Sequence, residues 1–273
     1  MAKKMRGSIF LCILLVLVGS VLLAYDNSPS NLVILPEVIW AAASGGGTWV
    51  SEVQITDFTG GSVVNAFFYY GTGYRSISNI WTSAGAYRSI KLDNILYSLG
   101  LIDTTFSYYG RVGTLQLITQ DSTHKIHAVA RTRNGNFGKS FSSLSWVDAN
   151  SANLGRNMVI QDLRFNPTYR TFVGFWNGTL GGHSITVQFR IIASDNTSVG
   201  SWFTKTFAPW EFKSFNPFEE AGITTGSYEN CWLYINVTAS GNSGDGSRGL
   251  MGFGSAANNY TNDTYALIAV QFQ

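Results

Sequence analysis

The chain has 273 residues, enough for two ordinary domains that each bury a core. Only 12% of residues are charged, 14% are aromatic and 29 are glycine, a composition of short strands and tight turns that excludes a helical bundle or a disordered polymer. The net charge is +2; without Lys3, Lys4 and Arg6 the remainder is close to neutral, which excludes an electrostatic nucleic-acid or anionic-membrane binder.

In chain order, Lys3, Lys4 and Arg6 precede an apolar run at 9–23 and the small residue Ala24. This is the pattern of a secretory signal peptide over 1–24. The competing reading is an uncleaved anchor, for which a run of ~15 residues is short of the ~20 that span a bilayer. Membrane contact is expected only through this segment. Cys12 lies inside it, so Cys231 is the one cysteine of the mature chain and has no internal disulfide partner. Its place in the apolar run 231–237 reads as a small hydrophobe on a strand.

A polar linker, 25–31, leads into a first β domain, 32–147. Residues 32–35 read as a strand ending at Pro36. Residues 49–55 alternate apolar and polar as a half-buried strand does. Strands are expected at 63–70, 78–82 and 87–92, with Gly-rich turns between them. A short helix at 93–99 has Asp93 as N-cap, Ile95, Leu96 and Leu99 on one face, and Gly100 as its stop. Strands at 113–119 and 125–133 complete the half, around a turn at 120–123. A second linker, 148–155, is polar and lacks hydrophobic period.

The second domain, 156–273, repeats that order. Residues 169–175 answer 49–55, 184–192 answer 63–70, 212–218 answer 87–96, 231–238 answer 113–119, and 250–259 answer 127–134. The expected fold is all-β: two tandem antiparallel β-sandwich domains. Each series runs out in an Asn- and Gly-rich stretch, 130–138 and 254–264, read as the close of a sandwich.

The closure Ala130-Arg131-Thr132-Arg133-Asn134 with Asn136-Phe137-Gly138, and its counterpart over 258–263, resemble the tandem β-sandwich, Ig-like repeats of secreted bacterial proteins without an assigned activity. The second closure departs from the family pattern, with Asn258 for an Asp and Tyr260 for an Arg. The order of strands more distantly resembles the small β-sandwich transducers associated with sensory rhodopsins. Either resemblance implies interaction and not catalysis, and neither supplies an active site.

Candidate chemistry is sparse. His124 and His127, three apart on a strand, point to opposite faces and do not converge on a metal. His183 has no acid or thiol nearby in sequence, and no serine sits in a nucleophile-elbow pattern. Glu219 and Glu220 read as the first turn of a helix and not as a glycosidase pair. The Asn/Asp-Gly clusters at 242–246 and 258–263 read as turns and not as calcium loops. No cofactor and no metal are expected. Asn-x-Ser/Thr triplets fall at Asn177, Asn196, Asn236, Asn259 and Asn262.

Recognition is expected instead from exposed rings and cations: Tyr74, Tyr108, Tyr109, Arg131, Arg133, Trp202 and Tyr260. These readings describe a secreted or cell-surface, non-catalytic interaction or structural protein, with a protein partner, self-association or a glycan as ligand. A carbohydrate-binding module is the alternative and calls for a coplanar row of exposed rings on one sheet. A secreted hydrolase is the second alternative and calls for a histidine beside an acid and a nucleophile.

Overall fold

A computed structural model describes residues 28–43, 46–100, 111–145, 157–178, 182–240, 250–261 and 263–272. The expected signal peptide, the linker at 148–155, Trp146, Tyr108, Tyr109, Asn262 and the loop 242–246 lie outside the described residues. The described chain is all-β, and every strand pair is antiparallel.

The first nine strands are β1 (Leu32–Ala42), β2 (Thr48–Asp57), β3 (Val63–Tyr70), β4 (Gly73–Thr82), β5 (Arg88–Leu92), β6 (Arg111–Thr119), β7 (Ile126–Asn134), β8 (Phe137–Ser142) and β9 (Leu144–Ser145). A short helix, α1 (Ile95–Ser98), follows β5. The strands form one hydrogen-bonded path that turns at the loop end of the β1–β2 hairpin, where pairing is limited to Trp40 with Val50, Ala41 with Trp49 and Ala42 with Thr48. On either side of this corner lie sheet A, β5-β2-β7-β8, and sheet B, β4-β3-β6-β1-β9. Val53, Ile55, Ala128 and Ala130 of sheet A face Val33, Leu35, Phe68 and Leu115 of sheet B across one core, with Ile95 and Leu96 of α1 at its edge. The alternation that buries these residues is the period-2 pattern of the strands.

The next nine strands are β10 (Asn157–Phe165), β11 (Tyr169–Asn177), β12 (Ile185–Ile192), β13 (Ser198–Phe207), β14 (Phe212–Phe215), β15 (Tyr228–Ser240), β16 (Leu250–Asn258), β17 (Thr264–Ile268) and β18 (Val270–Phe272), with α2 (Pro217–Glu220) after β14. They form sheet C, β14-β11-β16-β17, and sheet D, β13-β12-β15-β10-β18. Adding nine to each strand number turns sheet A into sheet C and sheet B into sheet D, and both helices follow the fifth strand of their half. A second core, including Val173, Phe175, Phe189, Phe207, Leu233 and Ile235, fills the space between C and D.

Several local expectations shift. β1 does not stop at Pro36. It continues to Ala42 through an irregularity between Leu35 and Val38, because a proline without an N–H is accommodated in a strand by a bulge. The N-cap of α1 is Asn94, whose side chain accepts from the Tyr97 N–H, while Asp93 pairs with Lys91 at 3.0 Å. The stretch 130–138 does not close the half: Gly135 and Asn136 form a two-residue turn, and Asn134 pairs with Phe137 to start β8. The 254–264 stretch likewise joins β16 to β17. Strands β8, β9, β10, β13, β17 and β18 were outside the expected set.

Candidate functional site

Sheets B and C pack face to face. Ile34, Phe67, Tyr69 and Leu144 from the first half meet Trp176, Phe212, Met251 and Phe253 from the second, joined by Phe141 of the edge strand β8. The Tyr69 ring lies 4.9 Å from Trp176 and is stacked on Trp210 at 5.7 Å, and Phe141 meets Phe253 edge-on at 5.6 Å. Burial pushes the Tyr69 hydroxyl up to about 12, and that hydroxyl donates to Gln116 Oε1 at 3.0 Å. A backbone bond from the Phe212 N–H to the Gly71 carbonyl, 2.8 Å, crosses the contact. Gly174 lacks a Cβ where the Phe253 ring lies directly over it. The molecule is thus layered A, B, C, D, with an apolar core in each of the three spaces.

Two sheet faces are left uncovered by the described residues, and they differ. The outer face of A corresponds by topology to the face of C that is covered. Where C places Phe172 and Ser255 opposite each other, A places Glu52 and Arg131. Glu52 is surrounded by Lys91 Nζ at 3.0 Å, Arg133 Nη2 at 3.5 Å and Arg131 Nη1 at 3.9 Å. Arg131 and Arg133 therefore share one strand face, as expected, but serve a solvated ion cluster around a single acid.

The outer face of D corresponds to the face of B that C covers. Here Trp202, 44% exposed, sits under the Arg190 guanidinium at 5.1 Å and meets Tyr234 edge-on at 6.3 Å. Trp232 meets the same tyrosine at 6.5 Å. The Tyr234 hydroxyl donates to Asn157 Oδ1 at 2.7 Å, and Arg190 Nε donates to Ser198 Oγ at 2.9 Å. Arg190, Trp232 and Tyr234 join Trp202 without having been singled out from sequence. The signal was available: Cys231, Leu233 and Ile235 alternate with Trp232, Tyr234 and Asn236, and the first set is core. Successive rings stand at 72° and 75°, so they do not make a coplanar row.

The other expected rings lie apart from this face. Tyr74, 61% exposed, is on β4 beside Tyr69 at 5.9 Å. Tyr260, 74% exposed, tops the β16–β17 turn, where its N–H bonds Asn258 Oδ1.

Among the described residues no three His, Cys, Asp or Glu side chains converge as a metal site would require. Burial lowers the pKa of His127. Glu219 and Glu220 occupy the first turn of α2, capped by Asn216, and Glu220 pairs with Lys205 at 2.6 Å. Cys231 is buried, and burial pushes its thiol up to about 11. Asn177 is fully buried and donates its Nδ2 to the carbonyls of His183, Phe207 and Ala208, which removes it as a glycan acceptor.

A cleft of about 300 Å³ opens between the two halves. The β1 bulge shifts the parity of the strand, so that Val38 stays in the first core while Glu37, Ile39 and Ala41 line the cleft. Lys139 of β8 meets Glu37 at 2.7 and 2.8 Å on its two carboxylate oxygens, with side-chain exposures of only 8% and 6%. Thr132, Ser255, Thr264 and Arg170 add polar groups, and Trp49, Val112 and Phe172 supply apolar wall.

No family model matches the chain, and no curated protein matches it. Among solved structures it is similar to the VP2 subviral particle of infectious bursal disease virus, at 14% identity over 90% of this chain and 72% of that one, with a TM-score of 0.20. It is also similar to a lectin from Pleurotus ostreatus in complex with GalNAc, at 9% identity over 88% of this chain and 85% of that one, with a TM-score of 0.21. Likeness at this level carries no functional information.

Proposed function

We propose that this chain is a secreted, non-catalytic interaction protein built of two tandem sandwiches, and that it associates with further copies of itself through the outer face of sheet D. One observation carries this reading. The counterpart of that face in the first half is already buried, within the chain, against sheet C, and on sheet D the equivalent face presents Trp202, Trp232, Tyr234 and Arg190. Tryptophan, tyrosine and arginine are the residues that dominate binding energy at protein interfaces. The edge-to-face rings favour a protein surface over a flat glycan platform. Secretion rests on the basic and apolar N-terminal pattern.

Sedimentation velocity of residues 25–273, over roughly 1–300 μM to span micromolar to near-millimolar dissociation constants, tests the proposal. Association that rises with concentration and is abolished by Trp202→Glu is the expected outcome. A monomer across the range, or an oligomer indifferent to Trp202→Glu, overturns it.

A further inference from the structure

We infer that the cleft at the bulged end of β1 binds a single polyhydroxylated ring of monosaccharide size. Its volume, about 300 Å³, lies at the lower end of the roughly 300–1,000 Å³ of small-molecule sites, which suits one ring. The deep polar feature is the Glu37–Lys139 pair, whose two side chains are each more than nine-tenths buried.

The chemistry of that pair selects the ligand. Its charges cancel, so the pair itself calls for no ionic ligand, and the Arg170 guanidinium that also lines the cleft donates to Asn259 Oδ1 at 2.6 Å. Each carboxylate oxygen has two acceptor directions, and the ammonium has three N–H groups against the two oxygens it meets. The pair can therefore still accept and donate. A ligand with no hydrogen-bonding groups would strip water from a buried ion pair and return nothing, which is strongly unfavourable. A hydroxyl both donates and accepts, so two neighbouring hydroxyls match a carboxylate beside an ammonium. Thr132, Ser255 and Thr264 are held by one another or by neighbours, as in Ser51–Thr132 at 2.6 Å and Ser255–Thr264 at 2.9 Å. Their hydroxyl oxygens are fixed in place and retain acceptor capacity. Trp49 and Phe172 provide rings against which the C–H face of a sugar packs.

The site is separate from the sheet D face, and the test distinguishes the two. The methyl glycosides of glucose, galactose, mannose, N-acetylglucosamine and glucuronic acid are titrated individually to about 50 mM, using calorimetry and saturation-transfer NMR, to reach weak dissociation constants. At least one is expected to bind saturably, with Kd of roughly 0.1–10 mM as befits a small, water-facing ligand. Ala41→Trp, which fills the cleft while leaving Glu37 and Lys139 in place, is expected to abolish binding. Phe172→Ala removes a ring that is 43% exposed; it tests the wall without threatening the fold and is expected to weaken binding about tenfold, the loss of one good apolar contact. Trp202→Ala is expected to leave binding unchanged. No saturable binding by any glycoside, binding that survives Phe172→Ala undiminished, or binding lost on Trp202→Ala overturns the inference.

Discussion

Asp57 and Asn177 occupy the same place, the end of the second strand of each half, and solve the same problem with opposite polarity. Asp57 accepts from the N–H groups of Thr59, Gly60 and Ser62 at 3.0–3.1 Å, whereas Asn177 donates to three carbonyls. Burial acts to raise the Asp57 pKa, but the three N–H groups outweigh it and hold the carboxyl well below the usual carboxylate range. A depressed folded pKa adds stability that is complete above the unfolded value of about 3.9 and is lost as pH falls through the folded one. Asp57→Ala is therefore expected to cost about 2–3 kcal/mol near neutral pH, for buried donors left unmet. In urea titrations the gap to the native chain narrows below about pH 4, where Asp57 of the unfolded chain takes up a proton that the folded carboxyl still refuses; a gap independent of pH would rule out the charge as its source.

Each of these residues also accepts, on its carbonyl, an N–H from an aromatic held at positive φ: Tyr87 at +58° and Trp210 at +63°. Such backbone costs about 1–3 kcal/mol in a non-glycine residue. Tyr87 is 77% exposed, so Tyr87→Gly relieves strain at little loss and is expected to be neutral or stabilising by up to about 1 kcal/mol. Trp210 stacks on Tyr69 between the halves, and Trp210→Gly is expected to destabilise by about 3 kcal/mol, as loss of a large packed ring does. Thermal melts of the two variants moving in the same direction would contradict this division.

At the scale of elements, the strands with clean alternation were legible. Residues 49–55 and 169–175 each place two apolar side chains in a core, Val53 and Ile55 in one and Val173 and Phe175 in the other. The layering is legible in the sequence too. Phe172, Val173, Phe175 and Trp176 crowd β11, whereas β2 has Glu52, Val53, Ile55 and Thr56 at the matching places, and a strand apolar on both faces is covered on both. Other elements were hidden by local chemistry. Pro36 disguised the second half of β1, and the two-residue Gly135-Asn136 turn looked like an ending because β8 beyond it is short and carries Lys139 inward. The cleft could not be read at all, since it depends on the parity change at the bulge and on Lys139 meeting Glu37 102 positions away. That pair makes its own prediction. Lys139→Met alone leaves a buried carboxylate without its cation and is expected to cost about 3–5 kcal/mol, whereas Glu37→Leu with Lys139→Met together is expected to be near neutral. Chemical denaturation of the single and double variants measures the difference; equal losses would show that the pair is not closed to solvent.

Over the whole molecule, apolar burial is shared among three spaces, and the middle one is expected to couple the two halves into a single unfolding unit. Trp176 lies there, almost completely buried. Trp176→Ala is expected to cost about 3–5 kcal/mol and to split one calorimetric transition into two as the halves uncouple. A single transition at lower temperature would instead assign the coupling to other residues. The two open faces show the same logic from outside. Glu52, Lys91, Arg131 and Arg133 keep the outer face of A solvated, as a charged cap does at the end of a repeat stack, and leave the aromatic face of D as the surface available for further contact.

The middle layer also has a consequence in time. The first half contributes Ile34, Phe67, Tyr69 and Leu144 to a face that only the second half covers. A ribosome adds about 5–20 residues per second, so on a growing chain this face is bare for roughly ten seconds after its own strands have emerged. During that interval the nascent chain carries the kind of exposed apolar surface that draws chaperones or neighbouring chains. The yield of folded protein should therefore depend on how fast the second half is made, and slowing translation within it should raise the aggregated fraction while leaving the finished molecule no less stable.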